Sequence, residues 1–227
     1  MLPVVNMPGL IEGVHFFTPP PLPPRDPRFA RRPVELCSLA VKWNGTVPAG
    51  GLIIQEKIDG IRALWIDGHL VTREGNAIGG TSHIAAALAG LERAFGRRMM
   101  FDGEFQVDGA LRPTLRHFAN GGRYGDAGHL FLFDAVPLDD WRGDRCQMPL
   151  TARLKALDAV GAALAGDAVS VLPWRLCASP GGVQAEAAAV WTRGGEGLVA
   201  KVPDSIYRRR RGDAWAKVKR TVMLLDV

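Results

Sequence analysis

The segment LIIQEKIDGIRALWIDGHLVTREGN, residues 52–76, carries the reading of the whole chain. LIIQEKI has the apolar density of a strand. RALWIDGHLVTR reads as a hairpin turning at Asp67-Gly68, a pair suited to a two-residue turn. The strand ends on Lys57, where its own pattern calls for a residue entering the fold. Asp59, Gly60 and Arg62 follow at once. A catalytic amine needs a fixed position, a depressed pKa and neighbours that handle the charge it creates. A strand end supplies the first and Asp59 could orient the side chain. Gly60 would let the backbone turn close to a ligand.

Outward from this segment the elements alternate. TSHIAAALAGLERAF (81–95) predicts a helix capped by Thr81 or Ser82, with Ile84, Leu88, Leu91 and Phe95 on one stripe. FDGEFQVDGALRP (101–113) predicts a second hairpin turning at Asp108-Gly109, and HLFLFDAV (129–136) a central strand. PLTARLKALDAVGAAL (149–164) predicts a helix entered at Pro149, with Leu150, Leu154, Leu157 and Leu164 along one side. A strand around VSVLPW, a helix around VQAEAAAVW and two late strands, EGLVAKV and AWAKVKR, complete the series. Hairpins interrupted by helices imply an α+β fold of mixed or antiparallel sheets, not a doubly wound parallel one. Residues 18–33, TPPPLPPRDPRFARRP, hold seven prolines and cannot sustain a helix or inner strand. The expected division is an extended Pro-rich arm over 1–33 and one domain over 34–227.

The bulk numbers exclude several classes. The 227 residues suffice for one substantial core, and no apolar run is long enough to span a membrane. The first residues lack the pattern of a secretion signal, so a cytoplasmic protein without a membrane partner is expected. Cys37, Cys146 and Cys177 are too few and too scattered for a disulfide framework or a zinc knuckle. The formal charge of +5 is a mild bias toward phosphate-rich partners. It is concentrated in RDPRFARRP (25–33) and YRRRRG (207–212).

Charged residues recur in the later strand motifs. Glu104 lies in FDGEF; Glu196 opens EGLVAK and Lys201 closes it. Lys217 and Lys219 share a strand face by period two, and two such amines repel unless an anion lies between them. Carboxylates, arginines and lysines spread over separate strands suit a nucleoside triphosphate with a divalent metal. The P-loop pattern GxxxxGKS is absent, so side chains must hold the phosphates.

These motifs together resemble the nucleotidyltransferase domain of the ATP-dependent DNA ligase superfamily, which includes RNA ligases and mRNA capping enzymes. KIDGIR (57–62), TREGN, FDGEF, LFLFDAV, EGLVAK and WAKVKR follow the family's order from about residue 52 to 220. The resemblance implies an ATP-grasp-like α+β domain. It makes Lys57 the nucleophile that attacks the α-phosphate of ATP to form lysyl-AMP, with Asp59 and Arg62 beside it. It puts Glu56 among the nucleotide-binding residues and Arg73 on the ribose or the nucleic-acid end. Phe133 would stack on adenine and Lys201 would lie near the phosphates. Glu104 would bind the ribose hydroxyl or, with Glu196, support Mg²⁺ or Mn²⁺, while Lys217 and Lys219 would take the α-phosphate. The implied activity is sealing of 5′-phosphate/3′-hydroxyl nicks, with duplex DNA as the expected substrate. RNA ligation, capping-type transfer and a non-catalytic nucleic-acid-binding role are the alternatives.

Family enzymes continue into an oligonucleotide-binding (OB) domain with a sixth, basic motif, and the eight residues after Lys219 cannot build one. A minimal enzyme, a protein partner supplying that domain, or a shortened chain would each account for this. A monomer is otherwise expected. Arg208, Arg209, Arg210 and Arg211, with the arginines of the arm, are the expected grip on nucleic-acid phosphates.

Overall fold

The computed structural model describes residues 35–162 and 168–220. The Pro-rich arm with its arginines, Leu164 and the terminal TVMLLDV lie outside the described residues. The rest forms two five-stranded sheets with helices packed on them.

The first sheet runs in the order β1 (Leu39–Lys42), β10 (Arg211–Lys219), β9 (Gly197–Lys201), β2 (Leu52–Glu56), β8 (Trp174–Cys177). Its pairs are antiparallel apart from β1 and β10, which run parallel. The second runs β4 (His69–Thr72), β3 (Ile61–Ile66), β5 (Met99–Gln106), β6 (His129–Pro137), β7 (Val169–Val171), antiparallel except for β6 with β7. The mixed α+β architecture is the expected one. Asp67 and Gly68 have φ of 56° and 83°, so the β3–β4 turn is the two-residue kind that matches the twist of its strands.

The chain passes from one sheet to the other between β2 and β3, at Lys57–Gly60. That crossing explains Gly60. A Cβ there would lie 2.3 Å from the Phe105 carbonyl oxygen, closer than real Cβ contacts allow. Glycine is required by the approach of β5's backbone.

Helix α1 (Ser82–Phe95) buries Ile84, Leu88 and Leu91 beside Phe101, Phe105 and Leu130 of the second sheet; Leu157 of α4 (Leu150–Gly161) joins the same cluster. Each such side chain stabilises the fold by roughly 1.5–3 kcal/mol. Neither expected cap works through its own oxygen as acceptor. Thr81 Oγ1 donates to the Ile78 carbonyl, and the Asp126 carboxylate accepts from the Ser82 amide at 3.0 Å. Helix α5 (Pro180–Thr192) covers the first sheet through Val183, Ala187 and Val190. Between the sheets lie Leu64, Met100, Val136, Tyr207 and Trp215, with Trp141 from α3 (Leu138–Gly143). Among the described residues no helix is long and apolar enough to cross a membrane.

One element departs from expectation. Asp108 and Gly109 do adopt turn conformations, φ 51° and 67°. The chain then enters no returning strand but α2 (Leu111–Ala119), which buries Thr114 and Phe118 on one face. The strand partners of β5 are β3 and β6.

Candidate active site

The crossing at Lys57 opens onto a cavity of about 710 Å³, within the range of small-molecule sites. Of the residues singled out in the sequence, Glu56, Lys57, Arg62, Arg73, Glu104, Phe133, Lys201, Arg211 and Lys217 line it.

Lys57 Nζ lies 2.5 Å from Glu196 Oε2, and Lys219 Nζ lies 2.5 Å from Glu196 Oε1. One carboxylate therefore ties the end of β2 to the end of β10. Burial raises the Glu196 pKa, but hydrogen bonds from Lys219 and Lys57 outweigh it and hold the carboxyl below its ordinary value. The carboxylate that meets Lys57 is thus Glu196. Asp59 is exposed, and its backbone carbonyl accepts from Gln106 Nε2 at 2.9 Å. Lys217 stands opposite with its amine lowered, first by burial and then by repulsion from Lys57 and Lys219.

Deeper in, Arg62 makes a bidentate pair with Asp102, at 2.8 and 2.6 Å, and Tyr207 donates to the same carboxylate at 2.6 Å. The Arg62 guanidinium lies 5.0 Å from the Phe133 ring centroid and 5.3 Å from that of Trp215. Arg62 is thereby locked as a wall of the cavity. Glu104 stands in register with Arg62 across β3 and β5. Burial pushes its carboxyl up to about 7, against the pull of Arg62 and Lys57. Glu56 is paired with Arg193 at 2.5 Å, and Arg73 with its neighbour Glu74.

Lys201 is buried, its Nζ donating to the Phe133 carbonyl at 3.0 Å and lying 3.9 Å from the Trp215 ring centroid. Burial lowers its amine to about 7, with Asp134 and Asp102 opposing. The unfolded chain holds that proton up to about 10.5, so above pH 7 it binds more protons than the native state. Lys201 therefore makes stability rise with pH between about 7 and 10.5, by up to about 1.4 kcal/mol per pH unit. The contribution is lost as pH falls through that window. Lys201→Met is expected to flatten this slope, which urea denaturation of both proteins at pH 7 and 9 would measure. An equal slope in the variant would place the pH dependence elsewhere.

The arginine run divides. Arg208 donates to the carbonyls of Asp144, Cys146 and Tyr207. Arg209 is buried with its guanidinium 4.9 Å from the Trp141 ring centroid. Both are built into the fold, whereas Arg210 and Arg211 are exposed, with Arg211 also donating to the Ala40 carbonyl at 2.8 Å.

Sequence reasoning missed Gln55. It is 2% exposed in the cavity wall, its Nε2 donates to the Leu172 carbonyl at 3.2 Å, and its Oε1 has no partner. That Nε2 bond fixes the amide, because the flipped form would set oxygen against oxygen. A signal was present: period two puts Gln55 on the same strand face as Lys57.

Two antiparallel-rich sheets meeting at a lysine, with a nucleotide-sized cavity between them, define a class already seen in solved ligases. A structure of Pmar-Lig superposes with a TM-score of 0.70 at 22% identity, covering 83% of this chain and 47% of that one. The ATP complex of the bacteriophage T7 ATP-dependent DNA ligase gives 0.61 at 19%, covering 81% and 68%. The Chlorella virus DNA ligase-adenylate gives 0.64 at 19%, covering 81% and 66%. At these identities the likeness is one of fold, and this chain spans about half the length of Pmar-Lig. No curated protein matches its sequence. Residues 37–219 match the ATP dependent DNA ligase domain, and the chain belongs to that family.

Proposed function

We propose that this chain is an ATP-dependent DNA ligase that adenylates Lys57 and seals 5′-phosphate/3′-hydroxyl nicks in duplex DNA, acting in the cytoplasm. The observation that carries the reading is the Lys57–Glu196–Lys219 chain of contacts, with Lys57 lining the 710 Å³ cavity. Family membership supports it.

The chemistry rests on the groups present. The Lys57 amine forms a bond to the α-phosphorus as the bond to pyrophosphate breaks. The attacking amine sheds its proton to solvent, and Glu196, the carboxylate within reach, orients the amine. Lys217 and Lys219 offset charge on the phosphoryl oxygens. AMP then passes to the 5′-phosphate of the nick, and the 3′-hydroxyl displaces it. The Gln55 oxygen, an acceptor with no partner, suits the exocyclic amine of adenine and opposes the carbonyl that guanine carries in its place. Phe133 would stack on the base, Arg73 would reach the ribose or the DNA end, and Arg210 and Arg211 would meet backbone phosphates.

Among the described residues no three side chains of metal-ligating type converge. Glu104 and Glu196 would hold Mg²⁺ or Mn²⁺ only together with substrate phosphates, as one or two carboxylates commonly do for Mg²⁺. When bound, the ion would neutralise charge on those phosphates.

The test is incubation with α-labelled ATP or GTP and Mg²⁺, followed by a denaturing gel and then by nicked DNA or nicked RNA. Covalent label from ATP and closure of nicked DNA are expected. Label from GTP alone would indicate a capping-type transferase, closure of RNA alone an RNA ligase, and no label a binding protein.

A further inference from the structure

Behind the Arg62 wall of the cavity lies a buried phenol that the proposed chemistry does not use. Tyr207 opens the YRRRRG run, is 1% exposed and does not line the cavity; nor does Asp102, which is fully buried. The Asp102 carboxylate receives three side-chain donors. Arg62 Nε meets Oδ1 at 2.8 Å and Arg62 Nη2 meets Oδ2 at 2.6 Å, while the Tyr207 hydroxyl donates to the same Oδ2 at 2.6 Å. Arg62 thus turns one edge of its guanidinium to Asp102. Nη1 makes no hydrogen bond among the described residues and is the edge left for the cavity that Arg62 lines.

Where that edge points depends on the plane of the pair. A guanidinium and a carboxylate joined by two parallel bonds are held nearly coplanar, so a turn of the carboxylate turns Arg62 with it. Among the described residues Tyr207 is the one side chain besides Arg62 that donates to Asp102, and so the one that resists such a turn from outside the pair. Tyr207 is itself fixed. Its ring meets Trp215 edge-on with centroids 6.1 Å apart, and the Ser38 amide donates to its oxygen at 3.4 Å. With that oxygen accepting from Ser38, the hydroxyl hydrogen is directed to Asp102. Burial first, and then the Asp102 charge, push the phenol well above its ordinary value, so it stays a donor at neutral pH.

We infer that Tyr207 is a positioning residue for the adenylation step: through Asp102 it sets the plane of Arg62, so that Nη1 meets an oxygen of the AMP moiety, on the ribose or on the α-phosphate. The inference rests on the proposed nucleotide reading and deepens it. The Arg62 guanidinium has the Phe133 and Trp215 ring centroids at 5.0 and 5.3 Å, and Glu104 stands in register beside it. Its free edge therefore lies at the nucleoside end of the cavity. Fixing that edge before the nucleotide arrives lowers the ordering cost that binding would otherwise meet. Loss of the hydroxyl leaves Arg62 paired but free to tilt, which weakens binding without removing a reacting group.

Tyr207→Phe removes the hydroxyl and keeps the ring, and a thermal melt checks that it folds. The full chain and this variant are compared by the rate of covalent labelling against ATP concentration, by calorimetric titration with AMP and adenosine, and by proton–nitrogen correlation spectra of the arginine Nε–H groups. Arg62→Lys identifies the Arg62 signal. Half-saturating ATP and the Kd of AMP should each rise roughly tenfold, as for one weakened charge-assisted hydrogen bond, with the maximal labelling rate within about threefold. The same loss for adenosine would put the contact on the ribose, and no loss for adenosine would put it on the phosphate; either supports the inference. The Arg62 signal should move in Y207F. Ile84→Val, which trims the buried face of α1, reports lost stability alone and should lower the labelled fraction while leaving half-saturating ATP unchanged. Y207F behaving like I84V, or an Arg62 signal that stays in place, would overturn the role of Tyr207. An Arg62 signal that moves in a wild type and variant binding neither AMP nor ATP would reject the nucleotide reading and leave the positioning of Arg62 by Tyr207 standing.

Discussion

Lys57→Ala is expected to abolish covalent AMP attachment completely while leaving the fold intact. Both halves derive from the contacts. A nucleophile has no substitute once its atom is gone, so the loss should reach the detection limit of a denaturing gel with α-labelled ATP. Stability should change little, because Glu196 keeps Lys219 at 2.5 Å when Lys57 is removed. The carboxylate is part exposed and not orphaned, so the change should stay within about 1 kcal/mol. Lys57→Arg should not restore label, since a guanidinium stays protonated and is a poor nucleophile. Lys217 is the competing amine in the same cavity. Full label on folded K57A protein, mapped to Lys217, would transfer the role.

How much of the fold was readable from sequence depends on how local each signal is. The β3–β4 hairpin was legible because Asp67-Gly68 needs nothing from elsewhere in the chain. Asp108-Gly109 shows the limit of the same signal. Its turn is real, yet turn chemistry does not dictate the next element, which is α2, with Thr114 and Phe118 buried on one face and Pro113 tolerated in its first turn. β1 and the partners of β5 depend on pairings across long stretches of chain, which alternation cannot reveal.

The site divides in the same way. Lys57, Glu104, Glu196, Lys201 and Lys217 stood out as charges at the ends of, or inside, apolar strands. Arg208 and Arg209 belong to an arginine run that reads as a phosphate grip, and in the fold these two carry contacts to carbonyls and to the Trp141 ring. Arg153 was not singled out in the sequence. On a helix it reads as a solvent-facing charge, yet it is 1% exposed.

That burial leads to the largest stability effect expected. Arg153 pairs with Asp134 of β6 through two bonds, 2.7 and 2.9 Å, and both side chains are fully buried. Its remaining donor reaches the carbonyls of Met148 at 2.5 Å and Ser205 at 3.0 Å. One guanidinium thus joins α4, an inner strand of the second sheet and the segment leading to Tyr207, whose hydroxyl meets Asp102 beneath Arg62. Arg153→Met leaves Asp134 buried without its counter-charge, and removing one partner of such a pair costs about 3–5 kcal/mol. The wild-type pair itself has a far smaller net worth, because desolvation offsets most of the attraction. Arg153→Met with Asp134→Leu should therefore recover much of the loss, and the two changes should be strongly non-additive. Thermal and urea unfolding of the four proteins of this cycle would measure it, with the single Arg153→Met variant melting roughly 10 °C below wild type. A double variant no more stable than the Arg153→Met single would show that the carbonyl contacts to Met148 and Ser205, and not charge pairing, make Arg153 indispensable.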